Sequence, residues 1–529
     1  MDMPKAISRA LWLSLIGALC LFTSGCGKIW GGITFFGGSI FPSTGFVYSC
    51  PIQVFLLSNA NNSNGPATQG SGWTYSISPN LPTGLSLNPM TGIISGTPTV
   101  ITAMTAYLVT ITSAMGVTTA TVNIRTANGI LVNDLVHDAH NNVPGTCSSL
   151  AFGTCNPRAA IEEAISSGPP VILMPAGTNI LTLGQLSITA VMDVYGDCAQ
   201  KTVLDGANAS RVLHVTAGPT NLINLTIQNG LDNTSGGAGI YFDGIAGNFS
   251  VTLQNSLVQN NSYSSVAWSG GGIRTNGDGH TVTVSISNSI IQNNSATAAG
   301  GQGGGLSLDT GSQDTITNSL IQNNSVGGSG AGIFVGGGPN TVSQSLILNN
   351  SAPTDIGGGV YGSAGTLTLL NDTIYGNTGT GGGGVGSGNT GTINIINSTI
   401  FGNSSNNGGV SGGGIDTVNG GTAVQVSNSI VASNQNTGGL MNCHDPIAIL
   451  TSGGYNMSDS GECPFASGGD RLTINPKLGP LQNNGGSTNT LALLPGSPAI
   501  GAVLNSSCPA TDQRGVTRPA NACAIGSYE

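Results

Sequence analysis

This chain has little charge. Asp, Glu, Lys and Arg make up only 6% of its 529 residues, and no Lys or Arg occurs from Thr275 through Asp470. With a formal net charge of −10, nucleic acid is excluded as a partner, because neutralising a phosphate backbone needs clustered cations. Acidic residues are missing from Gly27 to Gly129, so that stretch lacks the carboxylates that calcium requires. No two cysteines have Cys-x-x-Cys spacing, which removes the usual zinc signature. Beyond residue 26 no run of 18 apolar residues occurs, so no later helix of that kind should span a bilayer. Low charge with 84 glycines could suit a disordered chain, but Val, Ile and Thr are abundant and alternate. That alternation favours ordered β structure. No motif implies a cofactor.

What the chain has is repetition. A phrase Gly-(Gly/Ala)-Gly plus an aliphatic residue ends at Ile240, Ile273, Leu306, Ile333, Val360, Val385 and Ile415, with spacings of 33, 33, 27, 27, 25 and 30 residues. Interleaved with it, Asn-Ser-x-Ile or a near variant precedes Asn-Asn-Ser, beginning at Asn255, Asn288, Asn318, Gln344, Asn371, Asn397 and Asn428. Two phrases out of step at one period imply stacked coils, a solenoid in which each repeat touches its neighbours. Within a copy, Val282, Val284, Ile286, Asn288 and Ile290 alternate onto one face. An asparagine on an aliphatic face must be hydrogen-bonded. Stacking supplies the partner, because each amide can bond its copy in the next coil. The expectation is therefore an internal ladder of Asn255, Asn288, Asn318, Asn371, Asn397 and Asn428, with Gln344 substituting once. Asn and Gly in the other phrases suit sharp corners, since they tolerate left-handed backbone angles. Three short strands and three turns per coil fit the period. The expected fold class is all-β: a parallel β-helix, right-handed by the general crossover preference, preceded by a small sandwich.

Resemblances divide the chain further. Lys5 and Arg9 precede an apolar run from Ala10 to Phe22 and then Thr23-Ser24-Gly25-Cys26. Residues 1–25 resemble a bacterial lipoprotein signal peptide, which implies lipid attachment at Cys26; an ordinary cleaved secretory signal is the competing reading. Residues 26–44 read as a flexible tether. In 45–126, Leu81-Pro82-Thr83-Gly84-Leu85, Thr91-Gly92-Ile93-Ile94 and Ser95-Gly96-Thr97-Pro98 closely resemble the immunoglobulin-like modules of bacterial surface proteins, implying a β-sandwich spacer. The β-helix is assigned to 127–470. A cap helix is expected near 156–166, where Cys155-Asn156-Pro157-Arg158-Ala159-Ala160-Ile161 resembles the Cys-Ser-Leu-Arg-Glu-Ala-Ile element of exported β-helix proteins. The Gly-Gly-(Ala/Gly)-Ile and Ile-x-x-Asn phrases resemble the repeats of polymorphic outer membrane proteins. Residues 471–529, with Leu478-Gly479-Pro480-Leu481, Asn484-Gly485-Gly486, Asp512-Gln513-Arg514-Gly515 and Arg518-Pro519, resemble the choice-of-anchor region of exported bacterial proteins.

Export permits disulfides. Proximity in sequence pairs Cys147 with Cys155, Cys443 with Cys463 and Cys508 with Cys523, leaving Cys50 and Cys198 either paired or free. His137 and His140 have ligand-like spacing but no third ligand phrase, and read as loop residues. For catalysis, a glycosidase needs two carboxyls at glycosidic spacing. Asp205, Asp232, Asp243, Asp278, Asp309, Asp314, Asp355, Asp372 and Asp416 are scattered, with Asp243, Arg274 and Asp278 the nearest thing to a cluster. No catalytic residue and no metal site is assigned. Trp268, Tyr241 and Tyr263 are placed in loops, and Tyr375 and Phe401 in coil packing. The function expected is a non-catalytic, surface-displayed lipoprotein of the cell envelope or outer membrane, active in adhesion or glycan contact. The alternatives are a polysaccharide lyase or glycosidase on the same rod, and a purely structural envelope protein. The implied partners are a membrane, through the lipid, and a polysaccharide or host-surface glycan; no oligomer is implied.

Overall fold

The computed structural model describes residues 47–529 apart from 60–62, 142–143, 167–169, 198–200, 266–269, 409–410, 418–420 and 505–507. The signal segment, Cys20, Cys26, the tether, Cys198 and Trp268 lie outside the described residues.

One coil shows how the repeat closes into a tube. Phe249–Gln254, Leu257–Gln259, Ser262–Tyr263 and Ile273–Asn276 are successive strands separated by tight corners. In the following coil Ile286 pairs with Leu253, Ile291 with Val258, Ser295 with Ser262 and Leu306 with Ile273, all in parallel. Repetition builds four sheets, parallel but for Gly439–Leu440, which joins Gln435–Asn436 antiparallel. In chain order around the coil, these are sheet I with 12 strands, sheet II with 11, sheet III with nine and sheet IV with ten, counted among the described residues. The molecule is thus a parallel β-helix, with four ladders per coil rather than the three expected. Sheet III escapes a pattern search because most of its strands hold two residues, too few for alternation to register. Val284, Ile286, Ile291 and Leu308 point inward and join one continuous hydrophobic core running from Ile130 to Phe465.

The corners between sheets I and II, and between II and III, are made by asparagines with positive φ. Asn288 and Asn293 stand at 48° and 53°, and at the second corner Gly376 and Gly402 take the place of Asn at 67°. Short polar side chains and glycine pay the smallest steric penalty there. This overturns the expected ladder. Asn255, Asn288, Asn318, Asn371, Asn397 and Asn428 are all corner residues, with φ from 46° to 57°. Asn371 donates to the carbonyl of Thr511 and Asn397 to that of Ala524, while Asn288 and Asn318 are only half-buried. Amide-to-amide bonds along this row join Asn255 to Asn224 and Asn428 to Asn397. The period-two argument fails because a left-handed residue turns the chain. Beyond it the alternation restarts, so Ile291 faces the core and Ile290 faces out.

The internal ladder is carried by the second asparagine of Asn-Asn-Ser. Asn261, Asn294, Asn324, Asn350, Asn377, Asn403, Asn434 and Asn442 are all at most 1% exposed. The Nδ2 of each of the first seven donates to Oδ1 of the next at 2.9–3.0 Å. Its other hydrogen goes to a main-chain carbonyl of the preceding coil, as from Asn350 to Ile321 at 3.0 Å. Each Oδ1 also accepts a backbone N–H, as from Asn324 to Asn350 at 3.0 Å. A second inner row follows the serine of Asn-Ser-x-Ile: the N–H of Ser256 donates to Ser289 Oγ, and that of Ser289 to Ser319 Oγ. Asp372 replaces serine once in this row.

Additions cover the tube. Helix α1 (Pro157–Ser166) is capped by Asn156, whose Oδ1 accepts from Ala159 N–H at 3.0 Å, and it turns Ala160 and Ile161 into the first coils. The N-terminal sandwich has a four-stranded and a three-stranded sheet around Tyr48, Phe55, Ile94, Tyr107, Val109 and Ile124. It sits directly on the solenoid. The other face of its first strand, Ile52, Val54 and Leu56, packs on Val171, Leu173, Tyr195 and Ile223 of sheet I. The C-terminal residues fold back along sheet II, where Ala499, Val503 and Ile525 cover Ile430 and Met457. Disulfides join Cys147 to Cys155, Cys443 to Cys463 and Cys508 to Cys523. Cys50 is also disulfide-bonded.

Truncating the ladder should therefore be costly where truncating the corner row is not. Asn350→Ala leaves the Asn324 side-chain and backbone N–H groups without their acceptor, and is expected to cost about 3 kcal/mol in denaturant unfolding. Asn288→Gly, at a left-handed corner, should change stability by less than about 0.5 kcal/mol.

Candidate functional site

The sandwich and sheet I do not meet evenly. Between Thr102 and Thr105 the strand register slips by a bulge, which re-aims the side chains beside it. Ala103 and Met104 thereby face a cleft of about 570 Å³ at the seam. Its floor is Tyr195, Asn221, Ile223, Thr252 and Gln254 from sheet I, and its wall is Ile52, Asn123 and Arg125 from the sandwich. At the rim Ile101 is 58% exposed and Met104 38%.

The polar groups of the cleft hold one another. Arg125 donates from Nη1 to Asp193 Oδ2 at 2.5 Å and to the Tyr195 hydroxyl at 3.1 Å, while Asn221 Nδ2 donates to the other oxygen of Asp193 at 2.5 Å. Burial pulls the Arg125 pKa down, but the bonds to Asp193 and Tyr195 outweigh it and leave it raised. Burial raises the Tyr195 phenol, so it stays protonated. No carboxylate is among the described residues lining the cleft. The arrangement offers a fixed cation, an amide row, and an aromatic among aliphatic side chains. Those elements can orient a neutral polyhydroxyl ligand or one bearing an anionic group.

Residues 47–127 match the family model described as Putative Ig domain. One wall of the cleft is therefore Ig domain and the other is β-helix. A search of curated proteins finds no match to the chain.

The sequence picked out other residues. Arg274 pairs with Asp309 at 2.6 Å, Asp243 with His214 at 3.0 Å, and Asp278 lies in an exposed turn; the three form no common site. Tyr241 and Tyr263 lie on strands of sheets IV and III rather than in loops. Tyr241 is stacked on His214 with ring centroids 5.3 Å apart, and the guanidinium groups of Arg211 and Arg274 lie 5.2 and 5.1 Å from its ring centroid. At 6% exposure it serves packing. Tyr375 and Phe401 stack at 6.0 Å beneath the C-terminal residues. His137 and His140 bond Asp134 and Glu162 around α1. Asp205 caps Ala207 N–H, Asp232 pairs with Arg211, and Asp355 accepts from Ile356 N–H.

Three carboxyls are strongly perturbed, all away from the cleft. Desolvation pushes Asp314 up to about 7 and Asp372 well above the ordinary carboxylate value, and both lie inside the tube at 0–1% exposure. Burial raises Asp416 to about 6 despite His444 at 3.0 Å. Perturbed groups often mark catalysis, but Asp314 and Asp372 have no exposed surface on which to meet a substrate. The Val284 N–H donates to Asp314 Oδ1 at 3.2 Å and the Thr275 hydroxyl lies beside the carboxyl, but together they do not offset its desolvation. Because its folded pKa lies above the unfolded value near 4, folding takes up a proton between about pH 4 and 7, and stability falls as pH rises through that window. Asp314→Asn should remove this dependence, leaving stability little changed at pH 4 and raising it at pH 8 by up to about 4 kcal/mol. Urea unfolding at the two pH values measures the difference.

Proposed function

We propose that the chain is an exported, lipid-anchored surface protein whose seam cleft contacts glycan without cleaving it. A β-helix carrying an Ig-like domain fits a surface or structural protein in general. The cleft supports the finer reading: Arg125, Asn123, Asn221 and Gln254 converge with Tyr195 and exposed aliphatic residues, a combination suited to a sugar's hydroxyls and its apolar ring face. Among the described residues no carboxylate pair lines the cleft, and Asp193 beside it is tied to Arg125 and Asn221, which favours binding over hydrolysis. Acylation at Cys26 would hold the protein at the cell envelope.

Two experiments test this. The purified chain, passed over a panel of immobilised polysaccharides, should be retained by at least one of them. Asn221→Ala combined with Gln254→Ala should lower that affinity at least tenfold, with no new reducing ends released from the parent. Turnover of any polysaccharide, or retention unchanged in the double variant, overturns the reading. Separately, radiolabelled palmitate fed to expressing cells should label the parent and not Cys26→Ser; equal labelling of both rejects the anchor.

A further inference from the structure

The Ig domain has two unlike ends. At one, the chain leaves through Ala127 and enters sheet I at Ile130 and Leu131, which pair with Ile172 and Leu173. The other end projects. Strands Thr102–Ser113 and Gly116–Ala127 form a long hairpin, whereas the strand Ile52–Leu56 pairs only with Asn123–Ala127. The hairpin therefore runs on past its neighbour, and its tip carries Met115 at 91% exposure and Val117 at 67%. Val117 stands opposite Thr112, and beside that pair Ile111 is opposite Tyr75. The Tyr75 N–H donates to the Pro89 carbonyl at 2.9 Å, which brings the adjoining Met90, 70% exposed, to the same end. These three are among the four most exposed large apolar side chains of the described residues. Apolar groups gathered this way at one end mark an interaction surface.

The chain also enters the domain at this end. Because Ile52–Leu56 runs parallel to Asn123–Ala127, the residues before it lie toward the tip. The Asn123 N–H donates to the Pro51 carbonyl at 2.8 Å, and the Tyr48 hydroxyl donates to the carbonyl of Gly92, in the turn that bears Met90, at 2.6 Å. Only 20 residues separate Cys26 from Val47, a reach of at most about 70 Å. They include Trp30, Phe35, Phe36, Phe41 and Phe46, with Lys28 their one charge. Aromatic side chains of that kind settle at the headgroup level of a membrane. Residues 47–127 hold no Asp, Glu or Lys, and their single Arg125 is tied to Asp193. No carboxylate at this end would be repelled by anionic headgroups. A convex tip gives a protein partner no pocket to fill, but separate apolar points suit the soft boundary between headgroups and acyl chains.

We propose that this end of the Ig domain docks on a lipid bilayer, with Met90, Met115 and Val117 entering the interfacial layer. The inference rests on the reading of an exported envelope protein for the nearness of a membrane, but not on acylation of Cys26. It is tested with the full chain reconstituted in vesicles of phosphatidylethanolamine and phosphatidylglycerol. An environment-sensitive fluorophore is placed on Met115→Cys or, as a control, on Val136→Cys, a position 83% exposed in the loop before α1; the parent taken through the same labelling is the blank. Brominated acyl chains should lower emission from the Met115 site at least twofold and leave the Val136 site unchanged. Adding Met90→Asp and Val117→Asp should cut that quenching at least threefold with the melting temperature unchanged. Absence of quenching at the Met115 site, equal quenching at both sites, or quenching that the two aspartates leave intact overturns the proposal. Self-association that the aspartates abolish, without quenching, overturns it in favour of a second copy of the chain. The Cys26→Ser chain should lose palmitate and keep the quenching, whereas a palmitate-labelled parent without quenching retains the anchor and rejects the docking.

Discussion

A single file of buried side-chain amides holds this molecule in register. Each asparagine from Asn294 to Asn434 donates both amide hydrogens to neighbouring coils and accepts two N–H bonds from the preceding one, so a coil can be neither added out of phase nor slipped by one residue without orphaning several groups in an apolar interior. The cost of an unpaired buried amide far exceeds the modest net gain from a paired one. The ladder therefore contributes less by adding stability than by excluding every alignment but one. Sheets in parallel register over most of the stack follow from that exclusion, broken only near the last coil by the shift at Val426 and the antiparallel Gly439–Leu440, as does the coincidence of like corners.

The additions at the two ends use the outside of the same corners. Asn224 donates to the carbonyl of Ile52 at 2.7 Å, bringing the sandwich against the first coils. At the far end Gln344 reaches the carbonyl of Asp512 and Arg518 reaches Asn371 Oδ1. The Asp512-Gln513-Arg514-Gly515 phrase is explained by this contact. Asp512 holds Arg514 at 2.7 Å, and Gln513 hydrogen-bonds Thr373 on sheet II.

How much was legible beforehand divides along a physical line. Periodicity reports stacking directly, so the solenoid, the inward faces of sheet I and the helix over α1 could all be read from residues alone. The ladder could not be placed, because alternation says nothing of a left-handed residue that turns the chain at Asn288. Of the neighbouring Asn293 and Asn294, one makes a corner and the other the internal row, and no local property separates them. The cleft was invisible for a different reason. Arg125 and Asp193 lie 68 positions apart, in segments that read as separate modules, and nothing in Ile52, Val54 and Leu56 reveals that both faces of one strand are covered. The terminal phrases were recognised only by likeness, since their purpose lies in a surface more than a hundred residues upstream.

The folded-back C-terminal residues alter how the solenoid can come apart. In a bare array each coil touches only its neighbours, so the last one can fray and the rest follow in sequence. Here one continuous segment grips Gln344, Asn371, Thr399 and Asn428 in four successive coils. The final coil cannot peel away without breaking a seam laid across its predecessors. Unwinding from that end becomes an all-or-none event spanning several repeats, which turns a one-dimensional stack into a cooperative block.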